Sequence, residues 1–542
     1  MNKELRRTIL GAIFFFSCFM LWNQWLIHIG QKPFLSLDPA AQQTQATASA
    51  PAPASAATTR AQAAATDELP ASGATTAGVA AVSTATVPSG EKITVTTNIF
   101  KLTFDTTGGS LVGTELLQYK QRKSDEPFKL METGPDLQYM VQTGLIGGNY
   151  PNHLTPMKLV SSQRALADGQ NELELRFESE PVGGVQLIKT YTLKRDSYAI
   201  GVRHEVVNTG NAPVSAQLYN QLVRDGSNGP DSHQFYSSFT GPAFYSSEGK
   251  YQKIKFSDID KNNASYQKET DNGYVAMVQR YFASAWLPEN GTPRENYVRQ
   301  QNGLYAAGQI FNLGQIQPGA SSTSHTTLFA GPQREDIMDA LSPDLQAVKD
   351  YGWLTIIARP LYQLLTWLHT LLGNWGWAIV ALVVLLKIAF YWFNHKAYTS
   401  MAKMRSLSPK LEQAKERYKD DPRMLQQETI RLYREEKVNP MGGCLPVLIQ
   451  MPVFFALYSA LSATVEMRGA PWILWVKDLS APDPFYILPL LMTASSLLQV
   501  WLNPKPTDPT QAKMMWLMPL SFAFMFFFFP SGLVLYWLTN NL

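Results

Sequence analysis

A lysine stands inside an apolar run. In Trp375–Phe393, which reads WGWAIVALVVLLKIAFYWF, Lys387 is the one charged residue. A charge at the centre of a bilayer costs about 2.5–3.5 kcal/mol on insertion scales, so a lysine in such a run is first read as functional. The bland alternative is snorkelling. Asn394 lies seven residues further on, about 10 Å along a helix, and a lysine stem covers part of that distance. No Asp or Glu falls within any of the long apolar runs to offset the charge; Glu466 and Asp483 lie only at their ends. An unpaired ammonium then needs water or polar neighbours. Gln450, Ser495, Ser496, Gln499, Ser521, Tyr536 and Thr539 sit in the other apolar runs. Singly, each is an interhelical hydrogen-bonding or packing residue; together they predict a hydrated polar pocket inside the membrane. A proton-coupled solute transporter or a channel is a second reading, but it calls for an intramembrane carboxylate.

Signatures of soluble enzymes are missing. The chain has no P-loop, no GxGxxG after a strand, no HExxH and no CxxC. Its seven histidines (His28, His153, His204, His233, His325, His369, His395) lack metal-ligand spacing, so neither a metal nor another cofactor is expected. His204-Glu205 is the one adjacent acid–base pair, and in a strand its members point to opposite faces. Neither catalysis nor direct nucleic-acid binding is expected; the net charge of +3 gives no hint of the latter. Cys18 and Cys444 are the two cysteines, both in or beside apolar runs, so the chain between them cannot be held by disulfides.

The elements that must position these residues form two dissimilar halves. A mean hydropathy of -0.13 hides apolar runs concentrated before residue 30 and after residue 350. Lys3, Arg6 and Arg7 precede an uncharged run from Thr8 to Ile29. It is longer than a signal peptide's apolar region and closes on Trp22, Trp25 and His28, so residues 1–30 predict an uncleaved anchor with a cytoplasmic N-terminus. Residues 31–90, rich in Ala, Thr, Ser, Gln and Pro, predict a disordered tether. Over 91–350, runs such as NELELRFESE alternate with period two between turn signals such as Gly108-Gly109, which predicts an antiparallel β-sandwich across the membrane from the N-terminus.

Residues 353–372 predict an amphipathic helix lying in the membrane interface. Ile357, Leu361, Leu364, Leu365, Leu368, Leu371 and Leu372 fall on one face, and Arg359, Gln363, Thr366 and Thr370 on the other. A helix packed on the β domain is the alternative. Within 373–542, hydropathy predicts five spans: Trp375–Phe393, Leu445–Thr464, Pro484–Leu502, Met514–Phe529, and one from Leu533 that is too short to cross where the sequence stops at Leu542. Between His395 and Pro440, eleven basic residues oppose seven acidic ones, so this loop is expected on the cytoplasmic side. Its pattern predicts a helical hairpin over 396–437, kinked at Pro409, whose second helix is capped by Asp421 and started by Pro422. The hairpin is either a solvated charged loop or a landing surface, with Lys403, Arg405, Lys410, Lys415 and Arg417 as contacts.

Four runs carry a resemblance: YTSMAKMR (398–405), EEKVNPMGGCLPVLIQMPVFFALY (435–458), DLSAPDPFYILP (478–489) and FPSGLVLYW (529–537). They closely resemble the YidC/Oxa/Alb family of membrane protein insertases, strongly over about 350–542. The anchor, linker and β domain resemble its Gram-negative type. The resemblance implies a bundle of five core spans plus an N-terminal anchor in the bacterial inner membrane, with a large periplasmic β-supersandwich domain similar to sugar mutarotases. It implies a hydrophilic groove open to cytoplasm and lipid, through which the polar, often acidic tail of an incoming chain is drawn by a basic residue. Lys387 takes the place of the family's usual arginine, and Gln450, Ser495, Ser496, Gln499, Ser521, Tyr536 and Trp537 complete the expected groove. The implied partners are nascent membrane proteins, the lipid bilayer, the Sec translocon, the ribosome and the signal recognition particle pathway. The family's last span runs on past Leu542 and usually carries a basic tail. A membrane-anchored carbohydrate-binding protein is a third reading, from the mutarotase-like fold alone.

Overall fold

The computed structural model describes residues 90–122, 124–135, 137–229, 239–419, 421–436, 445–502 and 509–542. The predicted anchor and linker lie outside the described residues. The chain divides into two compact units, one of which ends at Lys349 while the other takes up Asp350–Leu542.

The first unit is two antiparallel sheets of nine strands each. One runs, in spatial order, Lys92–Thr96, Phe100–Asp105, Ser110–Lys120, Tyr139–Ile146, Val214–Asp225, Leu304–Ile316, Arg294–Gln301 and Glu269–Thr270, with Pro127–Met131 paired beside Ser110–Lys120. The other runs Lys250–Lys253, Gly241–Ser246, Tyr274–Val278, Phe282–Pro288, Ser321–Pro332, Ala199–Asn208, Val185–Lys194, Glu172–Ser179 and Met157–Leu159. Two short helices, α1 (Phe256–Asp260) and α2 (Glu335–Leu341), complete it.

Period-two sequences become strands with alternating burial. In Phe100–Asp105 and Ala199–Asn208 every second residue is buried. The buried faces meet between the sheets, where Phe104 of one sheet touches Phe177 and Tyr191 of the other at ring-centroid distances of 5.7 and 4.8 Å. Lys189 spans the same space. Its Nζ donates to the carbonyls of Gly108 (2.6 Å) and Thr143 (2.8 Å), and Tyr191 Oη donates to that of Gly109 (2.7 Å). Gly108 and Gly109 both adopt positive φ, and a Cβ on Gly108 would collide with the His153 backbone. Burial without a counter-charge pushes the Lys189 ammonium down to about 7. His204 faces this interior, its Nε2 2.9 Å from Thr143 Oγ1, whereas Glu205 points to the opposite face. The His204-Glu205 pair therefore does not converge.

The second unit is helical: α3 (Thr355–Leu372), α4 (Trp375–Ala389), α5 (Tyr391–Arg417), α6 (Pro422–Glu435), α7 (Leu445–Ala463), α8 (Ile487–Leu502), α9 (Pro509–Phe526) and α10 (Ser531–Asn541). α3 packs on α4 and α7, and α10 packs on α8, α4 and α7. Among the described residues no single helix is long and apolar enough to cross a membrane. The expected span Trp375–Phe393 is instead broken at Phe390, where α4 and the start of α5 meet at a 59° bend; only together are the two long and apolar enough for a span. α4 alone has 15 residues, about 22 Å, against a hydrocarbon core of about 30 Å.

α3 also departs from expectation. Its buried stripe is Ala358, Leu361, Tyr362, Leu365 and Leu368, and it faces the helical core. Leu371 and Leu372 join Ile356 and Trp367 on the exposed side. A helix with one stripe on the bundle and large apolar groups elsewhere can still lie at an interface.

Candidate functional site

α4 is fixed at its start. Gly373, in the left-handed region, ends α3, and Asn374 then caps α4 by accepting from Trp377 N (3.1 Å). The same Asn374 side chain donates to the carbonyls of Pro471 (3.1 Å) and Trp472 (3.3 Å). A Cβ on Gly376 would stand 2.1 Å from Trp472, so glycine is what lets this contact close. From there the buried stripe Ala378, Ile379, Leu382 and Val383 runs into the bundle. Lys387 follows Val383 by one turn, where the stripe gives out.

α10 is fixed in the same way. The N–H groups of Ser531 and Gly532 donate to the carbonyls of Ala481 (2.7 Å) and Leu479 (2.9 Å), which satisfies donors that a helix start otherwise leaves open. Asp483 of the same loop is buried. It accepts from Trp475 Nε1 (3.2 Å), Phe485 N (3.0 Å) and Leu488 N (2.7 Å). Two of the sequence runs quoted above are thus docked on each other, and this presents Tyr536 from α10 toward α4 and α7.

Between α4, the start of α5, α7 and α10 lies a crevice. It is lined by Val383, Leu386, Lys387, Phe390, Phe393, Asn394, Gln450, Val453, Tyr536 and Asn540. Water centres have ≈ 20 Å³ of room in it, enough for a single water. Gln450 Nε2 approaches Tyr536 Oη at 3.4 Å. Lys387 is exposed, lines the crevice and has no hydrogen-bond or ion-pair partner among the described residues. The arrangement can hold an anionic or polar group beside an apolar wall. It offers no pair of groups that would make or break a bond.

The expected groove residues divide. Lys387, Gln450 and Tyr536 come together in the crevice. Ser495 and Ser496 do not; both accept from Asn541 Nδ2 (3.1 and 2.8 Å), which ties α8 to α10. Gln499 is exposed, and Ser521, also exposed, donates to the carbonyl of Leu517 (3.0 Å). Thr539 turns back to Leu535 in the same way (2.8 Å). Trp537 packs on Phe454 and Phe526, with ring centroids at 4.8 and 5.4 Å. Reasoning from sequence missed Asn394 and Asn540 as lining groups. Helical spacing could have found Asn540, one turn beyond Tyr536; Asn394 lies across a bend that hydropathy does not reveal.

In the hairpin, Leu407, Leu411 and Ala414 of α5 are buried, and Asp421 caps α6 by accepting from Arg423 N (3.0 Å) and Met424 N (3.2 Å). Lys403, Lys410, Lys415 and Arg417 are exposed along α5, and Lys410 pairs with Glu436 across the hairpin. Arg405 lies on the same helix. Among the described residues no cluster of His, Cys, Asp or Glu could hold a metal ion. A broader cleft of ≈ 560 Å³ in the β unit is rimmed by Glu248, Glu269, Asp271 and Glu295.

Residues 92–364 match the family model of the YidC periplasmic domain, and residues 367–542 match that of the 60Kd inner membrane protein. The membrane protein insertase YidC of Bordetella avium is 51% identical over 99% of this chain and 96% of its own length. That of Cupriavidus metallidurans is 48% identical over the same shares. Among solved structures, an active YidC insertase is 21% identical, covers 84% of this chain and 91% of its own, and gives a TM-score of 0.39. A galactose mutarotase related enzyme from Lactobacillus acidophilus, 9% identical, covers 44% of this chain and 97% of its own at a TM-score of 0.31. Two family models that together take in nearly all the residues beyond 91, and relatives about half identical along almost their whole length, place the chain in the YidC family of membrane protein insertases, inner membrane proteins with a periplasmic domain.

Proposed function

We propose that this chain inserts other proteins into the bacterial inner membrane without a cofactor, and that the crevice around Lys387 is where the incoming chain is first held. The observation that carries the reading is the unpartnered Lys387 in a crevice lined by both polar (Gln450, Tyr536) and apolar (Val383, Leu386, Phe390, Val453) residues. An acidic tail entering from the cytoplasm offsets the cost of that charge, about 2.5–3.5 kcal/mol. The apolar segment behind it moves to lipid past exposed groups such as Val384, Leu385 and Ile388. Burial of its apolar surface, at about 25 cal/mol per Å², drives the step.

The chain crosses the membrane by the N-terminal anchor and five core spans, with the N-terminus and the hairpin in the cytoplasm. The hairpin's exposed basic side chains meet the ribosome or the signal recognition particle pathway, and the Sec translocon is a further partner. Gln499, Ser521 and the Ser495–Ser496 pair take no part in the crevice.

The test is insertion into liposomes holding this protein alone. A single-span substrate with a short acidic tail is scored by protease protection against empty liposomes. Protection above background, lost with Lys387→Glu, supports the reading; protection equal to that of empty liposomes sinks it.

A further inference from the structure

Among the described residues of the helical unit, four asparagines carry side chains in two different situations. Asn374 and Asn541 are bonded: the first to Trp377 N and the carbonyls of Pro471 and Trp472, the second to both Ser495 and Ser496. Each clamps one element to another. Asn394 and Asn540 are half-buried, both line the crevice, and neither side chain has a hydrogen-bond partner among the described residues. A carboxamide carries two donors and an acceptor oxygen, and at both positions these groups border the crevice. A purely structural asparagine here would resemble Asn374; these two resemble a site that waits for its partner.

Their placement defines what that partner is. Asn540 stands one helical turn beyond Tyr536 on α10, and Asn394 stands beyond Lys387 on the far side of the 59° bend. The crevice thus combines one cation, Lys387, with the carboxamides of Asn394 and Asn540 in its lining. We infer that Asn394 and Asn540 bind uncharged polar groups of the incoming chain, namely its backbone amides and Ser, Thr, Asn or Gln side chains, while Lys387 recognises its carboxylates. A carboxamide matches a peptide group donor for acceptor, which a lysine cannot do. This rests on the insertase reading above.

The experiment uses full-length protein in liposomes and two single-span substrates that differ only in the tail, one rich in Asp and Glu, the other with Asn, Gln and Ser at the same positions. Asn394→Leu combined with Asn540→Leu is expected to lower the insertion rate of the neutral-tailed substrate at least threefold more than that of the acidic-tailed one. Lys387→Met is expected to give the reverse order, and Asn→Gln at both positions to restore at least half of the lost rate. Cross-linking supplies a measurement that does not depend on how the leucine variant folds. With Cys18 and Cys444 replaced by serine, Asn394→Cys and Asn540→Cys are each expected to form a disulfide with a cysteine in the neutral tail. Equal losses on both substrates, no loss on either, or no tail adduct at 394 and 540 would overturn the assignment. Wild-type protein that protects neither substrate overturns the insertase reading itself, which separates the two failures.

Discussion

Lys387, which is exposed, differs from the buried Lys189 in what surrounds it. Lys189 is enclosed and donates hydrogen bonds to two carbonyls, whereas Lys387 opens on a crevice. Under the proposed function, the difference separates a structural cation from a binding one. Replacing Lys387 by Glu is expected to lower insertion of acidic-tailed substrates on the order of tenfold, about 1.4 kcal/mol at the barrier, since attraction turns to repulsion. Lys387→Arg keeps the charge and is expected to retain most of the rate. Initial rates of protease protection for both variants check this; equal losses would remove the electrostatic role.

The buried cation of the β unit makes a separate prediction in pH. Lys189 falls from an ordinary 10.5 to about 7 in the folded state because it is buried. Between those values the unfolded chain binds more protons than the folded one, so this residue adds stability as pH rises from 7 toward 10. His204, held well below 6.5 by burial and then by Lys189 and His325, withdraws stability as pH falls below 6.5. Urea midpoints of the β unit are expected to rise between pH 7 and 9, and Lys189→Met should flatten that rise. An unchanged slope in the variant would mean that Lys189 stays charged throughout.

At the scale of elements, the helical core depends on loops as much as on helices. The loop from Leu479 to Tyr486 receives the start of α10 and begins α8, and Asp483 holds it by three acceptor contacts. Asp483→Ala leaves the Trp475 indole N–H and two backbone N–H groups unmet, each costing about 1–3 kcal/mol. It is expected to lower the melting temperature of the detergent-solubilised protein by several degrees, with Asp483→Asn intermediate because it keeps one acceptor oxygen. A silent Asp483→Ala would show that water replaces the carboxylate. Asn374 works similarly at the start of α4, where loss of a cap alone is worth about 1 kcal/mol.

At the scale of the whole molecule, the crevice and the hairpin both belong to the unit beyond Asp350, while the β unit holds its own core between two sheets. Deleting most of residues 91–330 is therefore expected to impair growth less than deleting 396–437, when each variant is the cell's sole copy. A lethal first deletion with a silent second would move the essential site to the β unit.

Composition and spacing by themselves determined the division into a β-rich half and a helical half, and the antiparallel sandwich. They also determined the Asp421 cap and the absence of Asp and Glu from the apolar run around Lys387. These follow from local rules, since period-two alternation, turn residues, capping residues and apolar length each act within a few positions of one another. Tertiary structure alone decided which polar residues share a space. Ser495, Ser496 and Gln499 carry the same apolar-run signature as Gln450, yet the first two are used by Asn541 and the third faces outward. The break at Phe390 was equally silent in hydropathy, because the residues on both sides of it are apolar and a scale that averages over a window registers no change of direction. That bend brings Asn394 into the crevice with Asn540, a meeting of residues 146 positions apart that only packing of α4, α5 and α10 can produce.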